Sequence, residues 1–285
     1  INDNTVTITG GTVVGTVYGG AATGSGNVTN NAVNLGNESV HDLVSANLTG
    51  ADLVGGQSAT GITSGNALNV YAKNADVKSV AKFDKYHFIL DRAITDGATM
   101  LSVDAGGFGG EIDWNNIAVE KVPAMMTDGD KGHNPGGRVV LAEGTAADDL
   151  KVTGYAKRDY TTENTEHVIE LDPDTLVEAA GAGNHATAES LLLTYAKFKD
   201  NTWTYDGATT SPTSEDNEVF GGISYMGHTT DHNVLIVTAV PDGGLAAAYG
   251  GKTETAAQGD SVKNKVIVEG TSADAITDVI GGFTA

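Results

Sequence analysis

Short runs that alternate apolar or β-branched residues with small and polar ones fill the opening of the chain. NTVTITGG (4–11) and TVVGTVYGG (12–20) each end on a glycine pair, Gly10-Gly11 and Gly19-Gly20. Alternation at period two predicts half-buried strands, and paired glycines predict tight turns between them. The texture returns more loosely in NAVNLGNESVHDLVSANLTGADLVGG (31–56) and again in KVIVEGTSADAITDVIGGFTA (265–285). Over 1–120 the pattern predicts strands at 5–8, 12–18, 32–35, 67–71 and 77–80, then at 82–90 and 98–103. Their separators, Gly24-Ser25-Gly26, Asn30-Asn31, Gly55-Gly56 and Gly65-Asn66, supply the left-handed backbone that a corner between strands requires.

Each such unit is too thin to bury its own apolar side, and stacking buries the units collectively. Val17-Tyr18-Gly19-Gly20 returns as Leu53-Val54-Gly55-Gly56, then as Ala248-Tyr249-Gly250-Gly251 and Val279-Ile280-Gly281-Gly282. These spacings, about 36 residues for the first pair and about 31 for the last, fall in the range of repeat arrays. The expected fold is all-β: a parallel β-solenoid (β-helix) with a β-rich insertion or lateral domain. Segment 1–121 carries solenoid repeats, 122–233 the insertion, and 234–285 a return to repeats. Within the middle, strands are expected at 138–141, 150–157, 167–171, 191–198 and 202–205, with Lys199-Asp200-Asn201 as a hairpin turn between the last two. Segments 176–182 and 186–193 are expected as short helices, and 209–217 (TTSPTSEDN) as a polar loop. The most apolar strand is NVLIVTAV (233–240).

Composition sharpens this reading. With 38 glycines, 5 prolines and 6% aromatics in 285 residues, the core must rest on stacked Val, Ile, Leu and Ala. Lys and Arg number 16 against 37 Asp and Glu, a formal net charge of −21. Such a chain repels phosphate backbones and anionic headgroups, which argues against nucleic acid or a membrane surface as partner. There is no cysteine, so disulfides, thiolate catalysis and Cys-ligated metals are excluded. No apolar run reaches the roughly 18 residues of a membrane span, so membrane insertion is not expected. The chain opens at Ile1 rather than a methionine, which reads as a processed product or an excerpt.

The residues NTVTITGG (4–11), VYGG (17–20), GNALNVYAKN (65–74) and KNKVIVEG (263–270) resemble the repeat-bearing passenger regions of bacterial autotransporter adhesins. VKSVAKFDKYHFIL followed by GATMLSV resembles the segment downstream of such repeats. The resemblance covers about half the chain. It implies a right-handed parallel β-helix, export across the envelope and a place on the bacterial cell surface. One departure is that such passengers run into a membrane β-barrel, whereas this chain returns to repeats.

Candidate chemistry is sparse. Asp128 and Asp130, in DGDKGHN (128–134), place carboxylates at i and i+2 beside glycines, an arrangement Ca²⁺ favours. The loop lacks a bidentate acid, Lys131 weakens its field, and a solvated turn accounts for the same residues. Asp172-Pro173-Asp174 repeats the idea more weakly. His228 and His232 would share a helical face, but the strand expected there spreads them too far apart for one ion. Trp114, Trp203, Tyr205 and Tyr225 could stack on sugars or serve the core. A β-helix polysaccharide lyase or hydrolase needs clustered acids and bases, and Arg92, Arg138 and Arg158 do not lie beside carboxylate clusters in the repeats. Asp104, Glu111 and Asp113 only flank a glycine turn. No catalytic or cofactor-binding residue is assigned, and no enzyme activity is expected.

Joining VIGGFTA to INDNTVTITGG reproduces the internal order of glycine pair, polar linker and alternating strand seen in VYGGAATGSGNVTNNAVNL. The tail reads as a unit whose continuation is the head of another copy, or of a longer repetitive chain. The leading expectation is a subunit of an extracellular head-to-tail fibre, a contact that propagates instead of closing. Its joint would use Thr5, Val6, Thr7 and Ile8 at one end, and Val266, Ile267, Val268, Val279 and Ile280 at the other. The alternatives are a monomeric adhesin segment binding a glycan or host protein, and the lyase or hydrolase above.

Overall fold

The computed structural model describes residues 1–94, 96–104, 106–122, 136–145, 149–162, 164–172, 175–178, 184–207, 218–241, 243–254, 259–269 and 275–284. Among these the regular secondary structure is nearly all strand, and most pairings are parallel. No helix among them is long and apolar enough to cross a membrane. The chain divides into two compact units. The first takes in Ile1–Met125, Val139–Arg158 and Ile169–Leu193; the second takes in Met126–Arg138, Asp159–Val168 and Thr194–Ala285.

In the first unit, five parallel strands stack in the order Thr5–Ile8, Ala32–Leu35, Ala67–Val70, Lys85–Ile89 and Ile117–Glu120. The register keeps like beside like: Val6 faces Val33, Val33 faces Leu68, Leu68 faces Tyr86, and Tyr86 faces Ile117. Alternation explains the choice of face. Val33, Leu35, Leu68, Val70 and Phe88 point into the core while Ala32, Asn34, Ala67 and Asn69 stand half-exposed. A second parallel series runs through Thr12–Ala22, Asn47–Ser58, Ala75–Ala81 and Thr99–Val103 to residues 140–143. A third set is mixed. Glu111–Asp113 pairs parallel with Leu150–Thr153, which pairs antiparallel with Asn184–Ala188, itself antiparallel to Thr175–Glu178.

The second unit repeats a single motif. Thr202–Tyr205, Val234–Val237 and Lys265–Val268 form one parallel set. Glu218–Phe220, Leu245–Tyr249 and Ile276–Ile280 form another, and Ile223–Ser224, Lys252–Thr253 and Phe283–Thr284 a third. Trp203, Tyr205, Val219, Leu235, Val237, Leu245 and Ala248 share one core. Trp114, stacked edge-on against Tyr155, is also buried. Trp114, Trp203 and Tyr205 are therefore core residues and offer no platform to a sugar.

Three local expectations are overturned. The glycine pairs at 19–20 and 55–56 do not end their strands: Thr12–Ala22 and Asn47–Ser58 run straight through them. Their function is close approach, because a Cβ on Gly19 would lie 2.7 Å from the Gly55 carbonyl oxygen. Residues 199–201 do not form a hairpin. Asp200 is left-handed (φ 54°), and Thr202–Tyr205 leaves to pair parallel with Val234–Val237. The segments expected as helices are strands where they are described, since pairing satisfies their backbone while a helix of two turns carries an unrepaid nucleation cost.

Candidate assembly interface

A corner of one design precedes six of the parallel strands. A residue with positive φ is followed by an asparagine, and the strand begins at the next residue. The left-handed residues are Asp3, Asn30, Gly65, Asp200, His232 and Lys263, with φ between 51° and 71°. The asparagines are Asn4, Asn31, Asn66, Asn201, Asn233 and Asn264, directly ahead of the strands that open at Thr5, Ala32, Ala67, Thr202, Val234 and Lys265.

These asparagines form two ladders of one polarity. In the first, the Asn4 backbone N–H and Nδ2 donate to Asn31 Oδ1 at 3.1 and 2.9 Å. Asn31 N–H and Nδ2 donate in turn to Asn66 Oδ1 at 3.1 and 3.0 Å. The Asn66 N–H ends the series on a carboxylate, Asp84 Oδ2, at 2.9 Å. In the second ladder, the Asn201 N–H donates to Asn233 Oδ1 at 3.1 Å, and Asn233 N–H and Nδ2 donate to Asn264 Oδ1 at 2.9 Å each. The remaining Nδ2 hydrogen reaches back to a carbonyl of the preceding repeat: Asn233 to Phe198 O, and Asn264 to Thr230 O. Asn31, Asn66 and Asn233 are fully buried, so each bond replaces water that cannot enter.

The glycine pairs make room for this corner. A Cβ on Gly20 would sit 2.7 Å from Asn31 Nδ2, and one on Gly56 would sit 2.6 Å from Asn66 Nδ2. Gly222 and Gly251 stand in the same relation to Asn233 and Asn264. The second glycine thus admits the ladder, and the first admits the carbonyl of the neighbouring repeat.

All nine residues expected at a joint lie on outermost strands. Thr5, Val6, Thr7 and Ile8 belong to the first unit and, among the described residues, pair on one side only, with Ala32–Leu35. Val266, Ile267 and Val268, with Val279 and Ile280, belong to the second unit and, among the described residues, likewise pair only inward. The apolar columns continue into these strands but lose their cover. Val237 is fully buried, whereas Val268, its register partner, is 49% exposed; Ala248 is fully buried, whereas Val279 opposite it is 54% exposed. Tyr18, Val262 and Phe283, on other outermost strands, are exposed as well. Lys263 and Lys265 lie at the start of the Lys265–Val268 strand, and Asp3 lies two residues before Thr5–Ile8.

Elsewhere the second unit holds a buried carboxylate. Glu166, 2% exposed at its side chain, accepts from Ser224 Oγ at 2.9 Å and from the backbone N–H of Tyr225 and Met226. Burial raises its pKa above the usual carboxylate range, partly offset by these donors. His228 stacks on Phe198 with Nε2 3.0 Å from Thr161 Oγ1, while His232 turns its own corner beside Asp231, so the two imidazoles serve separate neighbours. His167 is fully buried and stacked on Tyr160, and neither ring nitrogen has a hydrogen-bond partner of good geometry among the described residues. Burial pulls its pKa down to about 4, offset in part by the backbone of Tyr160.

Asp128 and Asp130 lie outside the described residues, as do Pro173 and Asp174 and the 209–217 loop. Among the described residues no group of three or more His, Asp or Glu side chains could hold a metal ion. Glu111 lies 3.3 Å from His185 Nδ1, and Asp113 caps the 3₁₀ turn Trp114–Asn116 by accepting from the Asn115 N–H. The asparagine ladders carry a signal that composition hides: an asparagine directly before six of the strands, 31 or 32 residues apart in the second ladder. In comparisons with known proteins, no family model, curated protein or solved structure matches the chain.

Proposed function

We propose that the chain folds as a parallel β-solenoid and serves as an extracellular structural protein, joining head-to-tail with other copies into a fibre or surface appendage. The observation that supports this reading is the exposure of Val268 and Val279 in columns that are fully buried one strand inward. An outermost strand of this kind presents a row of unpaired N–H and C=O groups over bare apolar side chains, which is a template for one more strand. Burying a valine of this size contributes about 1.5 kcal/mol or more. The resemblance of the repeats to autotransporter passengers supports a place on the bacterial cell surface.

The mechanism is mechanical. Parallel pairing continues from one copy to the next, and the apolar columns run on beneath it. Negative-stain microscopy and sedimentation velocity across a concentration series test this with the purified chain. Fibres that lengthen with concentration are expected. A protein that stays monomeric at every concentration refutes the reading. Deleting residues 263–285 should abolish fibres and leave soluble monomers.

A further inference from the structure

We infer that the joint has one register, set by continuation of the asparagine ladder: Asn264 of one copy donates to Asn4 Oδ1 of the next. This inference rests on the head-to-tail reading above and specifies how two edges recognise each other.

The two ladders are open at complementary ends. Asn4 spends its Nδ2 on Asn2 O and Asn31 Oδ1 and its N–H on Asn31 Oδ1, while its Oδ1 accepts nothing among the described residues. Asn264 is the mirror case. Its Oδ1 is taken by Asn233, but its backbone N–H has no acceptor among the described residues. Everywhere inside a ladder, that N–H goes to the Oδ1 of the next asparagine. The backbone follows the same rule. Asn4 O accepts from Ala32 N–H, Asn31 O from Ala67 N–H, and Asn233 O from Lys265 N–H, each at 2.8 Å. Asn264 O is then the acceptor for the Thr5 N–H of the incoming copy.

Placing Asn4 over Asn264 carries the corner and the strand that follows it forward at a single offset of 260 residues. Val266 meets Val6 and Val268 meets Ile8, so apolar columns continue. The left-handed corner residues Lys263 and Asp3 face each other with opposite charge. With the segment between corner and glycine pair absorbing a two-residue difference (offset 262), Val279-Ile280-Gly281-Gly282 falls on Val17-Tyr18-Gly19-Gly20; within the chain the same kind of segment absorbs nine when Leu53-Val54-Gly55-Gly56 falls there (offset 36, against 27 for Asn4 and Asn31). Gly281 is the telling position. The first glycine of each inner pair faces a carbonyl of the next repeat: Gly19 faces Gly55 O, Gly221 faces Gly250 O, and Gly250 faces Gly281 O. A Cβ on Gly281 would meet nothing nearer than Asn264 O at 3.5 Å, ordinary contact, and its φ is not one that demands glycine. The slot is vacant in the single chain, and in the inferred register the Gly19 carbonyl of the next copy fills it.

Gly281→Val and Gly281→Ala separate folding from assembly. Both should unfold at the parent's midpoint by circular dichroism, and Gly281→Val should lower the fibre mass pelleted at a given concentration at least about tenfold, the equivalent of about 1.4 kcal/mol. Cysteine pairs then read the register directly, since the chain has no cysteine of its own and partners in adjacent parallel strands lie within disulfide reach. Thr5→Cys with Lys265→Cys should give a ladder of disulfide-linked oligomers on non-reducing gels. Thr7→Cys with Lys265→Cys, shifted by two residues, should not. Parent fibres combined with unimpaired Gly281→Val assembly, or with cross-linking only in the shifted pair, overturn the register and leave the fibre. A monomeric parent overturns both.

Discussion

The two asparagine ladders share one geometry and differ in their last member. The first closes on Asp84, whose carboxylate accepts the Asn66 N–H and has no N–H of its own to pass on to a further acceptor. The second stops at Asn264, with a backbone N–H still pointing along the series and no acceptor for it among the described residues. A carboxylate is acceptor-only, whereas an amide both accepts and donates. Aspartate therefore ends a ladder of this polarity and asparagine extends it. The same contrast separates the apolar columns: Tyr86 and Phe88 beside Asp84 are covered by another strand, while Val268 beside Asn264 is half-exposed. Beyond Asp84 the strand is already paired outward with Ile117–Glu120, whereas beyond Asn264 no further strand pairs among the described residues.

The comparison can be broken most forcefully from inside the second ladder. Asn233→Ala removes the acceptor of the Asn201 N–H and the donor to Phe198 O in a fully buried corner. A loss of about 3 kcal/mol is expected, since buried groups left without partners cost about 1–3 kcal/mol each. Denaturant titration followed by fluorescence reads it cleanly in a Trp114→Phe background, where Trp203 of the second unit is the single remaining tryptophan.

Acid acts on the same unit through His167. Its folded pKa of about 4 lies below the ordinary 6.5, so the unfolded chain takes up the proton first. Stability is therefore fully present above about pH 6.5 and is lost as pH falls toward 4, by at most ~3 kcal/mol. Glu166 has the opposite sign: its pKa is raised, so its contribution is present at low pH and declines as pH rises through that raised value. His167→Phe keeps a ring against Tyr160 and should flatten the acid limb of an unfolding-midpoint profile between pH 6.5 and 4. An unchanged profile would mean that another group carries the limb.

Gly222→Ala against Gly281→Ala sharpens the inner–outer contrast. The first drives a methyl into the Asn233 side chain and should cost about 2 kcal/mol, in the range of overpacked sites. The second should change the stability of the single chain by less than about 0.5 kcal/mol, as for a surface position. The cap of the first ladder can be tested in the same way. Asp84→Asn keeps an acceptor for Asn66 and should be nearly silent, whereas Asp84→Ala should cost about 1 kcal/mol, the net worth of one hydrogen bond. If both variants behave alike in urea titrations, Asp84 does not close the first ladder.

What could be read directly from the residues was the periodicity. Thr5–Ile8, Ala32–Leu35 and Thr202–Tyr205 fall where alternation of β-branched and polar residues places them, because a pleated strand sends successive side chains to opposite faces whatever its neighbours are. The all-β class followed from the same pattern and from the scarcity of long helical runs. Partnership between strands was not legible. Nothing local to 199–201 distinguishes a hairpin from a corner; the Asn233 acceptor, 32 residues away, decides it. Gly19-Gly20 reads as a turn in isolation, and only the Gly55 carbonyl and the Asn31 side chain packed against it make it a straight strand that must lack Cβ atoms. Asn31 and Asn66 were visible as corner residues, whereas Asn201 read as part of a hairpin and Asn233 as the start of a strand, and the buried ladders exist only where repeats distant in the chain are brought into register. Pattern along the chain is a local property of side-chain geometry, whereas register and satisfied burial are properties of neighbours, and those were settled by the tertiary structure.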